Sequence, residues 1–576
     1  MNFKKFIPIL DWLPQYKGSN LKGDLSAGLT VGVMLIPQGM AYAMIAGLPP
    51  IYGLYASTIP LILYAIFGTS RQLAVGPVAM VSLLTAAGIG AIAGGAAETY
   101  IALAIALALF VGVIQFALGA FRLGFLVNFL SHPVISGFTS AAALIIGLSQ
   151  LKHLLGINLA RSHHVHEIIL QAIERFGETN WVTFAIGIVG IGLIILVKKV
   201  NKAIPGPLLA VVFGILAVWG LGLTDQGVKI VGEVPRGLPS FGLPSFSWED
   251  VQALVPIALT ISLVSFMESI AVAKAIQAKH KNYKVSANQE LIALGAANIG
   301  GAFFQSYPTT GGFSRTAVND QAGAKTGLAS IISAALIILT LLFLTPLFYY
   351  LPSAILASVI MVAVFGLIDY KEVIYLWKTN RVDFAMLIVT FVATLGLGIE
   401  QGIGVGVILS LAMVIFRTTR PHFAILGKVP NTTLYRNIER FEGLEVRDDL
   451  LILRFDAQLY FANTNFFQDV LLDEVIKRKD KLKAVLIVAE SINYVDSSAM
   501  HALKDLVEDF KMNDITVLFS GIKGPVRDAM AKASLIKTVG EDHFFMSIQD
   551  GVDAFAAQSD KEAGKDMQEY VLQTNV

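Results

Sequence analysis

Long apolar runs separated by short polar loops fill the first four hundred or so residues, and the pattern stops near Arg417–Pro421. A helix needs ~20 apolar residues to cross the hydrocarbon core of a bilayer. Runs of that kind predict spans over 26–46, 51–67, 100–120, 125–150, 180–198, 204–223, 252–276, 286–304, 326–346, 352–369, 383–399 and 402–418. Two further segments, about 75–91 and about 308–321, are too short or too broken by Gly and Pro to be ordinary spans. Counting both predicts fourteen crossings. Beyond Pro421 the charges crowd in and the apolar runs shrink to strand length. Strands are expected at Leu450–Phe461, Ala484–Ala489 and Ile515–Ser520, with helices at Asn465–Lys477 and Ser497–Lys511 between them, an α/β layer arrangement. The chain thus divides into an N-terminal arm (1–24), a transmembrane domain (25–420), an α/β domain (430–558) and a polar tail (559–576).

Composition sharpens the membrane reading. The 576 residues are 55% hydrophobic and 15% charged, where a soluble chain carries about 25% charged residues, so the apolar excess must face lipid. The arm holds Lys4, Lys5, Lys17 and Lys22 without a cleavable apolar run and is not read as a secretory signal. Alternate loops hold Arg71; Arg122; Lys198, Lys199 and Lys202; Lys274, Lys279, Lys281 and Lys284; Lys325; and Lys371, Lys378 and Arg381. Basic loops face the cytoplasm, and an even number of crossings then places both termini and the α/β domain there. The chain has no cysteine, which excludes disulfides and thiol chemistry. His163, His164 and His166 read as a polar loop rather than a metal site, and neither metal nor cofactor is expected. A net charge of +1 gives no sign of a nucleic-acid partner, and the absence of GxxxxGK[ST] leaves ATP-driven chemistry without support.

The two broken segments hold the candidate chemistry. Irregular backbone survives in a membrane only when buried in protein or lining a cavity, and a helix that starts there presents free N–H groups and a partial positive charge that suit an anion. Paired short segments, one in each half of the chain, are the best sequence pointer to a binding site in a transporter. The first is expected to start at Gly76-Pro77, with Pro77 at the first helical position and Val78 and Ala79 offering N–H groups. The second is expected to start near Gly311-Gly312, with Thr310 as N-cap and Phe313, Ser314 and Arg315 following. Ser314 offers a hydroxyl and Arg315 a fixed charge. An intramembrane Arg should be functional or paired, and its candidate partner is Glu268, mid-span in 252–276. Burial favours the neutral form of that carboxyl and a nearby Arg315 favours the charged one, so Glu268 reads either as carrier of a co-transported proton or as half of a permanent salt bridge. In the first half the corresponding position is Gln38, which Pro37 is expected to aim inward by breaking the first span. Tyr42 lies on the same helix face.

At these residues the chain resembles the SulP family of anion permeases, whose animal relatives include prestin and pendrin. The resemblance rests on Pro50-Ile51-Tyr52-Gly53-Leu54-Tyr55-Ala56-Ser57 continuing to Tyr64 and Gly68-Thr69-Ser70-Arg71, on Pro37-Gln38-Gly39-Met40-Ala41-Tyr42, and on Val75-Gly76-Pro77. It implies fourteen helices in two inverted seven-helix repeats, split into core and gate domains, with an anion held between half-helices three and ten. It assigns Gly76, Pro77, Val78 and Ala79 to the start of the first half-helix, Phe313, Ser314 and Arg315 to the start of the second, Gln38 and Tyr42 to the polar face of helix one, and Glu268 to an acid associated with proton coupling. It further implies a homodimer, an elevator-like motion, and a bacterial-type sulfate permease of the cell inner membrane.

The C-terminal domain resembles a STAS domain. Asp496-Ser497-Ser498-Ala499 matches a loop that reads Asp-Ser-Ser/Thr-Gly in anti-sigma-factor antagonists, where the second serine, here Ser498, is phosphorylated. Ala499 replaces the usual Gly, and an ordinary helix N-cap accounts for the same residues. Folding, dimer contacts and docking of a cytoplasmic partner are the other expected roles. The leading reading is therefore proton-coupled sulfate uptake. The alternatives are sodium-coupled bicarbonate or dicarboxylate transport, anion exchange, and a non-transporting anion sensor. No catalytic constellation points to an enzyme.

Overall fold

The structure is a computed structural model that describes residues 6–90, 92–93, 97–125, 131–159, 165–200, 205–280, 283–478 and 481–558. His163, His164 and the 559–576 tail lie outside the described residues. The chain forms two compact units, Met1–Leu411 and Ala412–Val576.

The first unit is almost wholly helical. Among the described residues, eight helices are long and apolar enough to cross a membrane, from Gly18–Ile45 to Ser353–Thr379, and Ala79–Gly90, Gly206–Leu221 and Gly404–Thr419 are shorter apolar helices. Several predicted spans have more detail than a hydropathy pattern can carry. The 51–67 span is two helices, Pro50–Tyr55 and Ile59–Phe67, split by a turn in which Ser57 Oγ donates to Gly53 O (2.7 Å) and Thr58 Oγ1 to Tyr55 O (2.7 Å). The helix Leu328–Leu339 runs on through a π turn at Thr340–Leu344. The stretch between the spans predicted at 125–150 and 180–198 contains an amphipathic helix, Val165–Glu174, which includes His166. One local expectation is corrected. Pro37 does not break the first span, because the helix Gly18–Ile45 continues through it. A proline removes one N–H and crowds the preceding turn, but neighbouring helices hold this buried stretch in line.

Close packing and satisfied polar groups hold this unit together. A Cβ on Gly53 would sit 1.9 Å from Gly39 O, so the helix Pro50–Tyr55 lies directly on the backbone of Gly18–Ile45. Glu290, fully buried, accepts from Tyr64 Oη (2.6 Å), Thr69 N (2.7 Å), Thr69 Oγ1 (2.5 Å) and Ser70 N (3.1 Å). Asp24, also fully buried, accepts from Lys325 N (2.6 Å), Thr326 N (3.0 Å) and Thr326 Oγ1 (2.7 Å). A buried carboxylate is tolerated when several donors replace its hydration.

The second unit is a six-stranded sheet in the order β4-β3-β5-β6-β7-β8. Its strands are β3 (Phe423–Lys428), β4 (Tyr435–Asn437), β5 (Leu450–Phe455), β6 (Ala484–Val488), β7 (Thr516–Ser520) and β8 (Phe544–Phe545); two short strands of the first unit, β1 (Val75–Gly76) and β2 (Thr310–Gly311), precede them. β5 to β8 run parallel, with Ile452 opposite Leu486 and Leu486 opposite Leu518, while β3 is antiparallel to both its neighbours. Alternation sends Leu451 and Leu453 to a core shared with Phe467 and Leu503, and Leu450 and Ile452 to one shared with Phe555. Burial on both faces explains the continuous apolar runs. The helices Thr464–Arg478 and Ser497–Met512 match expectation closely. β5 stops at Phe455, short of Phe461, where Arg454 and His422 both engage Asp456. The strands β4 and β8, three and two residues long, carry too few residues to stand out in the sequence, and β3 is an addition to the expected set.

Gly53→Ala should destabilise the protein by more than about 3 kcal/mol, since backbone cannot yield to an inserted Cβ as a side chain can. Gly192→Ala, with nothing within 4 Å of the added carbon, should leave the melting temperature unchanged. Thermal melts followed by size-exclusion chromatography check the pair.

Candidate functional site

β1 and β2 pair antiparallel, Val75 opposite Gly311 and Gly76 opposite Thr310. Each is followed within three residues by a half-helix, Ala79–Gly90 after β1 and Phe313–Gln321 after β2. The crossing brings the two helix starts together. Gly312 N donates to Ala74 O (3.0 Å), and Ala74 N donates to Thr316 Oγ1 (3.0 Å). Gly76 has φ +153°, which a side chain would strain. A Cβ on Gly312 would lie 2.8 Å from Arg315 Nη2, so glycine leaves room for the guanidinium.

The helix starts differ from expectation by a residue or two. Pro77 is not the first helical residue of the first half-helix, which begins at Ala79; Val78 caps it, its carbonyl accepting from Ser82 N (2.9 Å). The extended pairing at Gly76 delays the helical turn, and the Pro77 carbonyl is turned to Arg315 instead. Thr310 is not the N-cap of the second half-helix. Gly312 is, with Thr316 N donating to its carbonyl (3.0 Å). Thr310 belongs to β2, and its hydroxyl serves Ser265 O (2.7 Å) and Ser269 Oγ (2.7 Å).

Arg315 is the centre of the arrangement. It is 2% exposed and its Nη1 donates to Pro77 O at 2.6 Å, joining one half-helix to the start of the other. Its Nε and Nη2 are buried without a partner, as is Gln38 Oε1. Leaving a buried donor unmade costs about 1–3 kcal/mol, so these groups mark where a ligand would be stabilised. Tyr42 is buried and, with Glu268 and Tyr307, lies within electrostatic reach of the guanidinium. Glu268 is half-buried, and among the described residues it forms neither an ion pair with Arg315 within 4.0 Å nor a hydrogen bond. A permanent Arg315–Glu268 salt bridge is therefore not part of this structure. Phe313 and Ser314 are exposed, while Val78 and Ala79 are buried at the other helix start. Tyr42, Gly76 to Ala79 and Phe313 to Arg315 thus come from three separate stretches of chain to one place, and Gln38 lies one turn before Tyr42 on the same helix face. Two helix N-termini and one guanidinium supply positive potential and unused N–H groups, a chemistry suited to a compact anion.

Behind the site is a buried polar layer, of which Gln115, Asn298, Tyr307 and Ser82 lay outside the sequence reading. Gln115 Nε2 donates to Ser265 Oγ (2.7 Å), Asn298 Nδ2 donates to Gln115 Oε1 (3.1 Å), Thr309 N donates to Asn298 Oδ1 (2.8 Å), and Gly311 N donates to Ser269 Oγ (2.8 Å). Tyr307 Oη and Ser82 Oγ share a bond of 3.1 Å. The available signal was a Gln and an Asn within apolar spans, where unpaired amides are costly. Asp320, at the far end of the second half-helix, engages both Lys279 and His280.

In the second unit Ser498 is exposed in the first turn of Ser497–Met512. Asp496 caps that helix, accepting from Ala499 N (2.8 Å), and its other oxygen accepts from Phe461 N (2.9 Å). Asp496→Ala should lower the stability of this unit by about 1 kcal/mol, read in urea melts of the unit expressed alone. Ser498→Ala should change it by less than about 0.5 kcal/mol.

The comparisons with known proteins agree along the chain. The model of the Sulfate permease family matches residues 21–390, and that of the STAS domain matches 443–551. Sulfate transporter 4.1, chloroplastic, of Arabidopsis thaliana is 42% identical over 565 residues, 95% of this chain and 82% of that protein. High affinity sulfate transporter 2 of Stylosanthes hamata is 33% identical, over 97% of this chain and 88% of that protein. The murine Solute Carrier 26 family member A9 anion transporter, solved in its inward-facing state, has a TM-score of 0.88 at 27% identity, covering 96% of this chain and 94% of that one.

Proposed function

The chain belongs to the sulfate permease family, and from that premise we propose that it is a secondary active transporter that carries sulfate with a proton across a membrane by alternating access. It is a multi-pass membrane protein of a family of transporters, not of enzymes. The named relatives are sulfate transporters. The observation that carries the reading is the buried Arg315 guanidinium, which has two unpartnered donors at the meeting point of two half-helix starts.

In this reading sulfate lies between Ala79 and Arg315. The first N–H groups of the two half-helices, at Val78 to Ala79 and Phe313 to Arg315, face it from opposite sides, and Arg315 Nε and Nη2 bond it directly. Gln38 and Tyr42 close the site from the first helix. Gly76 and Pro77 hold the crossing in shape. Glu268, which among the described residues has no hydrogen bond or ion pair, is the proton carrier. Sulfate brings two negative charges near Glu268, and a proton on the carboxyl removes one of the like charges. The two bindings therefore favour each other. Sodium-coupled bicarbonate transport is less well supported. It calls for free hydroxyls around Glu268, and Ser265 and Ser269 are already engaged with Gln115 and Gly311. The distribution of basic loops supports a reading with both termini in the cytoplasm.

Uptake of labelled sulfate, bicarbonate and fumarate into liposomes, with and without an inward proton gradient, tests the reading. Gradient-stimulated sulfate uptake is expected, and its absence would sink the proposal. Arg315→Ala should weaken sulfate binding at least about tenfold. Gly312→Ala should do the same by displacing the guanidinium. Glu268→Gln should retain binding and lose the proton dependence; full coupling in that variant would overturn its assignment.

A further inference from the structure

A cavity of about 850 Å³ in the first unit is lined by residues other than those of the half-helix starts. One wall is the N-terminal segment around Phe6 and Trp12, and the others are the turns that follow the helices Ile59–Phe67 and Ala97–Ala120 and the stretch from Tyr283 to Gln289. The segment is tied down: Gln289 Nε2 donates to Phe6 O (3.0 Å) and to Phe67 O (2.9 Å), and Trp12 is buried beside Gly327. The cavity is therefore walled by defined structure.

Its charge is lopsided. Arg71, Arg122 and Lys284 line it, against a single acid, Asp11. The Arg71 guanidinium lies over the Tyr283 ring, 5.4 Å from its centre, a contact that orients it without neutralising it. The other carboxylates of the region are occupied elsewhere. Glu290 is held by Tyr64, Thr69 and Ser70, Asp24 by Lys325 and Thr326, and Asp320 by Lys279 and His280. Among the described residues none of the three cations has a carboxylate within 4.0 Å. Arg122 stands at the end of the helix Ala97–Ala120 in a left-handed backbone, φ 60°, with Leu123 N donating to Leu118 O (2.8 Å), an ordinary helix C-cap.

The geometry points to a binding site for a phosphate-bearing anion, held by Arg71, Arg122 and Lys284 against the N-terminal segment. Two guanidinium forks and an ammonium match the several oxygens of a phosphate or diphosphate. The volume suits a ligand larger than one inorganic anion. The same chemistry can come from a free diphosphate or from the headgroup of an anionic phospholipid, since basic residues at span ends meet charged headgroups. An occupant would bridge the N-terminal segment to the helix ends that it covers. The inference does not rest on the transport reading.

The test uses the full-length protein in phosphatidylcholine nanodiscs. One arm titrates inorganic pyrophosphate by calorimetry. The other adds phosphatidic acid to the discs and counts bound lipid by native mass spectrometry. Saturable binding is expected in at least one arm, weakened about tenfold or more in Arg122→Gln/Lys284→Gln and retained in Arg315→Ala. That last variant separates this cavity from the transport site. Lys284→Gln alone, at an exposed position, serves if the double variant does not fold. Absence of binding in both arms, wild-type affinity in the charge variants, or loss of binding in Arg315→Ala overturns the proposal.

Discussion

The antiparallel pairing of Val75–Gly76 with Thr310–Gly311 is the constraint on which the first unit depends. Two segments from opposite halves of the chain leave helical geometry inside an apolar body, where bare backbone is intolerable. They satisfy each other. The consequence is that two helices begin at one point and direct their unpaired N–H groups there. Gly76 permits the backbone angle and Gly312 the nearby guanidinium. The bond from Arg315 Nη1 to Pro77 O closes the junction with a side chain from one half and a carbonyl from the other.

Around that junction nearly every polar group is already used. Ser269, Thr310, Asn298, Gln115 and Thr316 are bonded to one another or to nearby backbone. Glu290 and Asp24 hold loops, not ligands. Against this background the exceptions among the described residues stand out: Arg315 Nε and Nη2, Gln38 Oε1, Asn319 Oδ1 one turn beyond Arg315, and the half-buried Glu268. The site is defined as much by what the surroundings consume as by what they offer. A rigid, satisfied shell also holds the open donors in place, which is what recognition of a small anion requires.

The second unit follows different physics. Its parallel strands are covered on both faces, so its stability resides in two apolar cores. The loop before Ser497–Met512 is fastened by Asp496, which bonds both Ala499 N and Phe461 N. The acid of the Asp496-Ser497-Ser498-Ala499 motif thus has a structural duty, and Ser498 beside it is free at the surface.

The membrane setting, the positions of most helices, the two broken segments, and the alternating strands and helices beyond Pro421 are legible in the order of residues alone. All of these rest on periodicity and run length, which are local properties. That order also singled out Gln38, Glu268 and Arg315, because a polar or charged group in an apolar run is costly wherever the run ends up. Tertiary structure decided the rest. Whether Glu268 pairs with Arg315, whether Pro77 or Ala79 begins the helix, and whether Thr310 caps or cross-links depend on which strand lies opposite, and pairing between residues more than two hundred positions apart leaves no periodic trace. The same holds for the signature around Tyr64, Thr69 and Ser70. Its residues surround Glu290, a partner that only the folded chain brings within reach.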